Sequence, residues 1–241
     1  MSKITLFCFP YAGGSAYSTY FNFKFDLSEK IELYPVELKG RGRRFSEKHY
    51  KNSGELLEDM MGQIKGKIKE QPYAFWGHSM GARVAYHLAS KIIEMDFPRP
   101  LHLFLSGALP PGEIGRDESW ELNDDLFLEE VIKIGGMPKE ILENKELLGV
   151  FLPIIRNDFK VLNDLNKQIV NTPLPIDLSI IYGSEELSIK QKLKEWERHS
   201  NQAVNFQEYP GNHFFIKNHV EGLSRLINSK IAEVGVINEN K

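Results

Sequence analysis

The amino-acid sequence predicts an α/β protein with a mostly parallel central sheet flanked by helices. Three observations carry this. Short apolar runs alternate with amphipathic stretches of helical period, the rhythm of strand–helix–strand units. One run, residues 73–76, turns at Gly77-His78-Ser79-Met80-Gly81 directly into a helical pattern. An earlier run, residues 4–9, empties into the glycine-bearing loop Pro10-Tyr11-Ala12-Gly13-Gly14-Ser15.

At 241 residues the chain is long enough to bury a full core, and one domain over residues 1–241 is expected. With 41% hydrophobic and 26% charged residues it reads as globular rather than disordered. A net charge of −3 supplies no electrostatic footprint for nucleic acid. No apolar stretch approaches the roughly 20 residues of a membrane-spanning helix. The single cysteine, Cys8, sits in an apolar run, which fits packing rather than reactivity and a cytoplasmic, reducing location.

Taken in order, residues 4–9 form the first buried strand, and residues 16–27, rich in aromatics, are helical. Residues 31–36 form the next strand. It leads to Glu37-Leu38-Lys39-Gly40-Arg41-Gly42-Arg43-Arg44, which reads either as a solvated basic loop or as a contact for phosphate or an acidic partner surface. Residues 52–71 place Leu56, Leu57, Met60, Met61, Ile64 and Ile68 on one helical side; Asn52 and Glu55 resemble a capping box, and Gly62 and Gly66 weaken the helix. After residues 73–76 and the turn, Val84, Ala85, Leu88, Ile92 and Met95 give the following helix a sheet-facing stripe. Residues 101–106 are another strand.

From residue 112 to 168 no strand pattern occurs. A helix over 126–134 stops at Gly135-Gly136, and further helical segments follow Pro138, with Pro153 expected to kink or break them. This stretch is read as a helical insertion, a lid over the catalytic edge that shapes an acyl pocket. The sheet resumes at 176–182, followed by a helix bearing Ile189, Leu193 and Trp196, a last strand at 203–209, and a final helix with Val220, Leu223, Ile227 and Ile231. A loose polar tail is expected from Asn238.

The turn at 77–81 is a nucleophile elbow, which exposes a serine hydroxyl at the end of a strand and places a helix N-terminus beneath it. In the α/β-hydrolase fold that serine precedes an acid and then a histidine, each after a strand. Ser79 is the candidate nucleophile and His213, after the last strand, the candidate base. His78, His87 and His102 lie at the elbow, in a helix and in a strand, while His49, His199 and His219 read as surface or helix residues. For the acid, the loop after Tyr182 offers Glu185 and Glu186; Glu186 is preferred, and Asp177 begins its strand at the wrong end. The oxyanion would be bound by the backbone N–H of Met80 with that of Tyr11 or Ala12. No metal or bound cofactor is required.

Residues 9–14 (Phe-Pro-Tyr-Ala-Gly-Gly), 40–44 (Gly-Arg-Gly-Arg-Arg), 76–81 (Trp-Gly-His-Ser-Met-Gly), 135–138 (Gly-Gly-Met-Pro) and 211–214 (Gly-Asn-His-Phe) together resemble the type II thioesterases. These are the stand-alone editing enzymes of nonribosomal peptide and polyketide synthases, related to the medium-chain acyl thioesterase of fatty acid synthesis. The resemblance implies Ser79 as nucleophile, His213 as base and Glu186 where the family usually has aspartate. It also implies a lid and an acyl substrate on the phosphopantetheine arm of an acyl or peptidyl carrier protein, the partner that the basic loop could meet. A general carboxylesterase, an acyl-CoA or fatty-acyl thioesterase, a transacylase and an inactive binding protein of the same fold are the competing readings.

Overall fold

The structure, a computed structural model, describes residues 3–113, 118–168, 170 and 172–239. The described chain runs β1 (Ile4–Phe9), α1 (Ala16–Tyr20), β2 (Ile31–Pro35), α2 (Ser53–Ile64), α3 (Lys67–Glu70), β3 (Tyr73–His78), α4 (Met80–Glu94) and β4 (His102–Ser106). It continues with α5 (Asp124–Ile134), α6 (Lys139–Leu142), α7 (Lys145–Asn166), β5 (Asp177–Gly183), α8 (Leu187–Gln191), β6 (Val204–Tyr209) and α9 (Val220–Glu239). The strands form one sheet in the order β2-β1-β3-β4-β5-β6, every neighbouring pair parallel.

Period-two alternation splits the strands between two cores. From β1, Phe7 and Phe9 join Phe75, Leu103, Met60, Leu88 and Val161 on the face covered by α2, α4 and α7. Leu6 and Cys8 join Trp76, Phe104, Phe23, Leu223 and Ile227 on the face covered by α9 and the first aromatic segment. Cys8 is fully buried, which pushes its thiol pKa up and leaves it a packing residue. A third, smaller cluster of Phe127, Val131, Leu152 and Ile155 belongs to the insertion alone.

Four elements differ from the sequence reading. Residues 16–27 are one α-turn and a 3₁₀ segment over Phe21–Phe25 rather than one helix. The helix expected over 52–71 is divided between α2 and α3, with Lys65 and Gly66 at the joint, consistent with the low helix propensity of glycine. α7 runs through Pro153 without a break; the lost N–H and the crowding of the proline ring on the preceding turn are outweighed by packing, because the buried residues Leu152, Ile154, Ile155, Val161 and Leu165 hold both halves. Gly135, left-handed at φ 86°, closes α5 as read from the sequence. At the C-terminus α9 continues past Asn238 to Glu239, where a loose tail was expected; residues 240–241, like 114–117 of the insertion, lie outside the described residues.

The sheet also explains where a site can form. The chain passes from β1 to β2 on one side and returns to β3 on the other, so β1 and β3 are neighbours whose exit loops diverge. Such a switch point opens a crevice at the carboxyl ends of the strands. Phe9 pairs with Gly77, so the loop after β1 stands level with the elbow.

Candidate active site

Ser79 lies between β3 and α4 with φ 56° and ψ −117°, a conformation that costs about 1–3 kcal/mol in a non-glycine residue. Two close backbone approaches hold it there. A Cβ on Gly77 would collide with the Gly81 carbonyl, and one on Gly81 with the Phe9 carbonyl, so the glycines let helix, elbow and β1 converge. The Ser79 N–H donates to the Ser106 carbonyl at 2.7 Å, tying the elbow to β4.

The acid and the base come together across β5 and β6. Gly183 pairs with Tyr209, and beyond them Ser184 N–H donates to Tyr209 O at 2.8 Å and Glu185 N–H to Gly211 O at 3.0 Å. This brings Glu186 Oε1 to 2.6 Å from His213 Nδ1, while Glu186 Oε2 accepts from the Gly183 N–H at 2.8 Å. The carboxylate is thus fixed at both oxygens, and His213 Nδ1 is engaged, which leaves Nε2 for chemistry. Glu185 is exposed and makes no such contact, so geometry separates the two glutamates. Ser79 Oγ makes no hydrogen bond among the described residues, and Ser79, Glu186 and His213 line one cavity of about 620 Å³.

His78 packs its ring 4.9 Å from that of His213 and shares a 2.8 Å hydrogen bond between Nδ1 and Ser106 Oγ. Burial, reinforced by His213, holds its pKa well below the usual imidazole value, so it stays neutral beneath the candidate base.

In the loop after β1, Gly13 N–H donates to Asp158 Oδ2 at 2.7 Å and Gly14 N–H to Tyr11 O at 2.9 Å. The N–H groups of Tyr11, Ala12 and Met80 donate to no acceptor among the described residues. Tyr11 and Ala12 line the cavity, and Met80 begins α4 directly after Ser79. All three candidate oxyanion donors therefore gather at the elbow.

The loop is gripped from behind by two buried carboxylates that the sequence reading did not single out. Asp158 of α7 binds Gly13 N–H and forms a bidentate pair with Arg41, at 2.5 Å to Nη1 and 2.6 Å to Nη2. Glu37 accepts from Ser15 Oγ at 2.6 Å and from Ala16 N–H at 2.9 Å. Asp158 left a signal: it interrupts the apolar stripe of Ile154, Val161 and Leu165 on α7, where a charge must find a partner.

These contacts correct the reading of the basic loop. Arg41 is buried against Asp158, and Arg44 is committed to Glu47 and Asp59. Arg43, over the Tyr17 ring at 4.6 Å, is the exposed arginine of the three. Two of the guanidiniums in the motif serve as internal tethers, which leaves Arg43 as its exposed arginine.

The helical insertion contributes Val131, Met137, Ile141, Phe151, Ile155 and Phe159 to the lining of the cavity. No helix among the described residues is long and apolar enough to cross a membrane.

The thioesterase domain family matches residues 4–231. The chain is 30% identical over 217 residues to the gramicidin S biosynthesis protein GrsT of Aneurinibacillus migulanus, covering 89% of this chain and 84% of that protein. It is also 30% identical over 218 residues to the medium-chain S-acyl fatty acid synthase thioesterase of Homo sapiens, covering 88% and 80%. Among solved structures, ClbQ from the colibactin nonribosomal peptide/polyketide pathway superposes with a TM-score of 0.91 at 30% identity, covering 98% of this chain and all of that one.

Proposed function

The chain belongs to the thioesterase domain family, and from that premise we propose that it hydrolyses acyl groups from the phosphopantetheine arm of carrier proteins, clearing aberrant or stalled chains in polyketide or nonribosomal peptide biosynthesis. Thioester hydrolysis in biosynthesis is the common ground with its relatives. Acyl or peptidyl carrier domains are the proposed partners, the cytoplasm the proposed location, and the helical insertion the proposed lid over the acyl pocket. The observation that supports the site most directly is the 2.6 Å Glu186–His213 hydrogen bond opening on the same cavity as the strained Ser79.

In this reading His213 Nε2 takes the Ser79 proton as Oγ attacks the thioester carbonyl. The N–H of Met80, with that of Ala12 or Tyr11, holds the oxyanion. The tetrahedral adduct collapses, His213 returns the proton to the departing thiolate, and the acyl group stays on Ser79. Water, deprotonated by His213, then attacks the acyl-enzyme; the acyl–Oγ bond breaks, His213 returns the proton to Ser79 Oγ, and the acid is released. Glu186 orients His213 and stabilises the imidazolium at each step. No metal or bound cofactor takes part.

The test is acid release from one acyl group carried on a holo carrier protein, on coenzyme A and on a simple oxygen ester. Ser79→Ala and His213→Ala are expected to lower kcat by about 10⁴–10⁶-fold. A preference for the carrier-bound thioester supports the editing role, and faster turnover of the oxygen ester overturns it.

A further inference from the structure

Two buried arginines line the cavity, and their surroundings differ. Arg41 has the bidentate Asp158 carboxylate. Arg83, on α4, is 2% exposed and its guanidinium makes no hydrogen bond or ion pair among the described residues. Nη2 is fully buried without a partner. Its polar surroundings are Tyr86, His87 and His199, which carry no negative charge to offset it. Glu113, which acts on His199, is occupied by Lys192 at 2.8 Å. Burial without a counter-ion among the described residues pulls the Arg83 pKa down to about 9; burial, and after it the Arg83 charge, depresses both histidines. A buried cation left unpaired is costly, and a planar guanidinium is suited to bidentate capture of a carboxylate.

We propose that Arg83 is a recognition site for a carboxylate on the acyl group of the substrate, within a few bonds of the thioester carbonyl. The assignment rests on the thioesterase reading and adds a substrate class to it. Position decides the class of anion. Arg83 N–H donates to Ser79 O at 3.4 Å, which ties the first turn of α4 to the elbow, and both residues line the same cavity. An anion beside Arg83 is therefore close to the scissile carbonyl. The phosphate of the carrier arm is at the opposite end of that arm from the thioester and cannot reach. A short dicarboxylic acyl group, such as malonyl or succinyl, can place its free carboxylate there, and the apolar insertion residues close over its chain.

The experiment compares kcat/KM for malonyl and succinyl thioesters with propionyl and butyryl thioesters on the same holo carrier protein. It uses wild type, Arg83→Met, Arg83→Gln and Arg83→Lys. The ratio of carboxylated to neutral turnover is expected to fall at least tenfold in Arg83→Met and Arg83→Gln, with partial recovery in Arg83→Lys. A ratio that Arg83 substitution leaves unchanged overturns the proposal, as does wild type that hydrolyses the neutral thioesters and not the carboxylated ones. Free malonate and succinate binding, measured by calorimetry against propionate at matched ionic strength, gives a readout independent of hydrolysis. Should wild type turn over no carrier-bound thioester, the editing function falls; Arg83-dependent dicarboxylate binding then still upholds the anion site, and binding indifferent to Arg83 removes it.

Discussion

At the scale of single residues, the sequence pattern specified the elbow and left the acid open. Gly77-x-Ser79-x-Gly81 was legible because hydrogen is the only side chain the converging backbones admit at either glycine. Gly77→Ala is accordingly expected to cost about 4 kcal/mol or more, seen as loss of soluble protein or of the cooperative melt. The choice between Glu185 and Glu186 was not legible to the same degree, since both stand in one loop and only the turn after β5 decides which faces His213. That turn points Glu186 inward and leaves Glu185 exposed. Glu186→Gln should lower kcat by about 10²–10⁴-fold, while Glu185→Gln leaves kcat within about twofold of wild type, in the same acyl-release assay. Equal losses in the two variants would reverse the assignment. The role of Asp158 was hidden for a different reason: its partners, Arg41 and Gly13, are more than a hundred residues away, and no local pattern encodes them.

At the scale of elements, α7 is the piece whose sequence signals conflicted. Pro153 argued for a break, and the apolar stripe on either side argued for continuity. Packing prevailed, because the cost of an interior proline, about 3 kcal/mol, is small beside five buried aliphatic side chains worth about 1.5–3 kcal/mol each. The helix does more than line the cavity. Through Asp158 it fixes Gly13 N–H, one residue beyond Ala12, so displacement of α7 is expected to move the loop after β1, which carries the candidate oxyanion donors. Asp158→Asn should destabilise the fold by about 3–5 kcal/mol by leaving Arg41 without its counter-charge. It should also lower kcat by about 10–100-fold through a displaced loop. Urea unfolding and turnover measure the two effects. The double variant Arg41→Met/Asp158→Leu is expected to recover stability more fully than activity, because the buried charge is gone while the Gly13 tether is still missing.

At the scale of the whole molecule, topology was the most legible feature. The strand–helix rhythm gave a parallel sheet, and the order elbow, acid loop, histidine loop matched the carboxyl ends of β3, β5 and β6. The core also carries a pH liability. His87 and His102 are buried, which depresses each pKa from 6.5 to about 4. In the unfolded chain they take up protons below about pH 6.5, whereas in the fold they resist until about pH 4. Stability from these residues is therefore intact above pH 6.5 and lost on acidification through the window down to 4, by about 3 kcal/mol each. Unfolding midpoints at pH 7.5 and 4.5 should show it. His102→Gln, which can keep the Ser179 Oγ contact, should flatten the difference. Finally, the insertion's small cluster of Phe127, Val131, Leu152 and Ile155 is separate from both cores of the sheet. Few contacts tie α5 to those cores, so α5 is expected to open below the global unfolding free energy. Deuterium should enter the amides of α5 orders of magnitude sooner than those of β3, and a ligand filling the cavity should slow the first while leaving the second as it was.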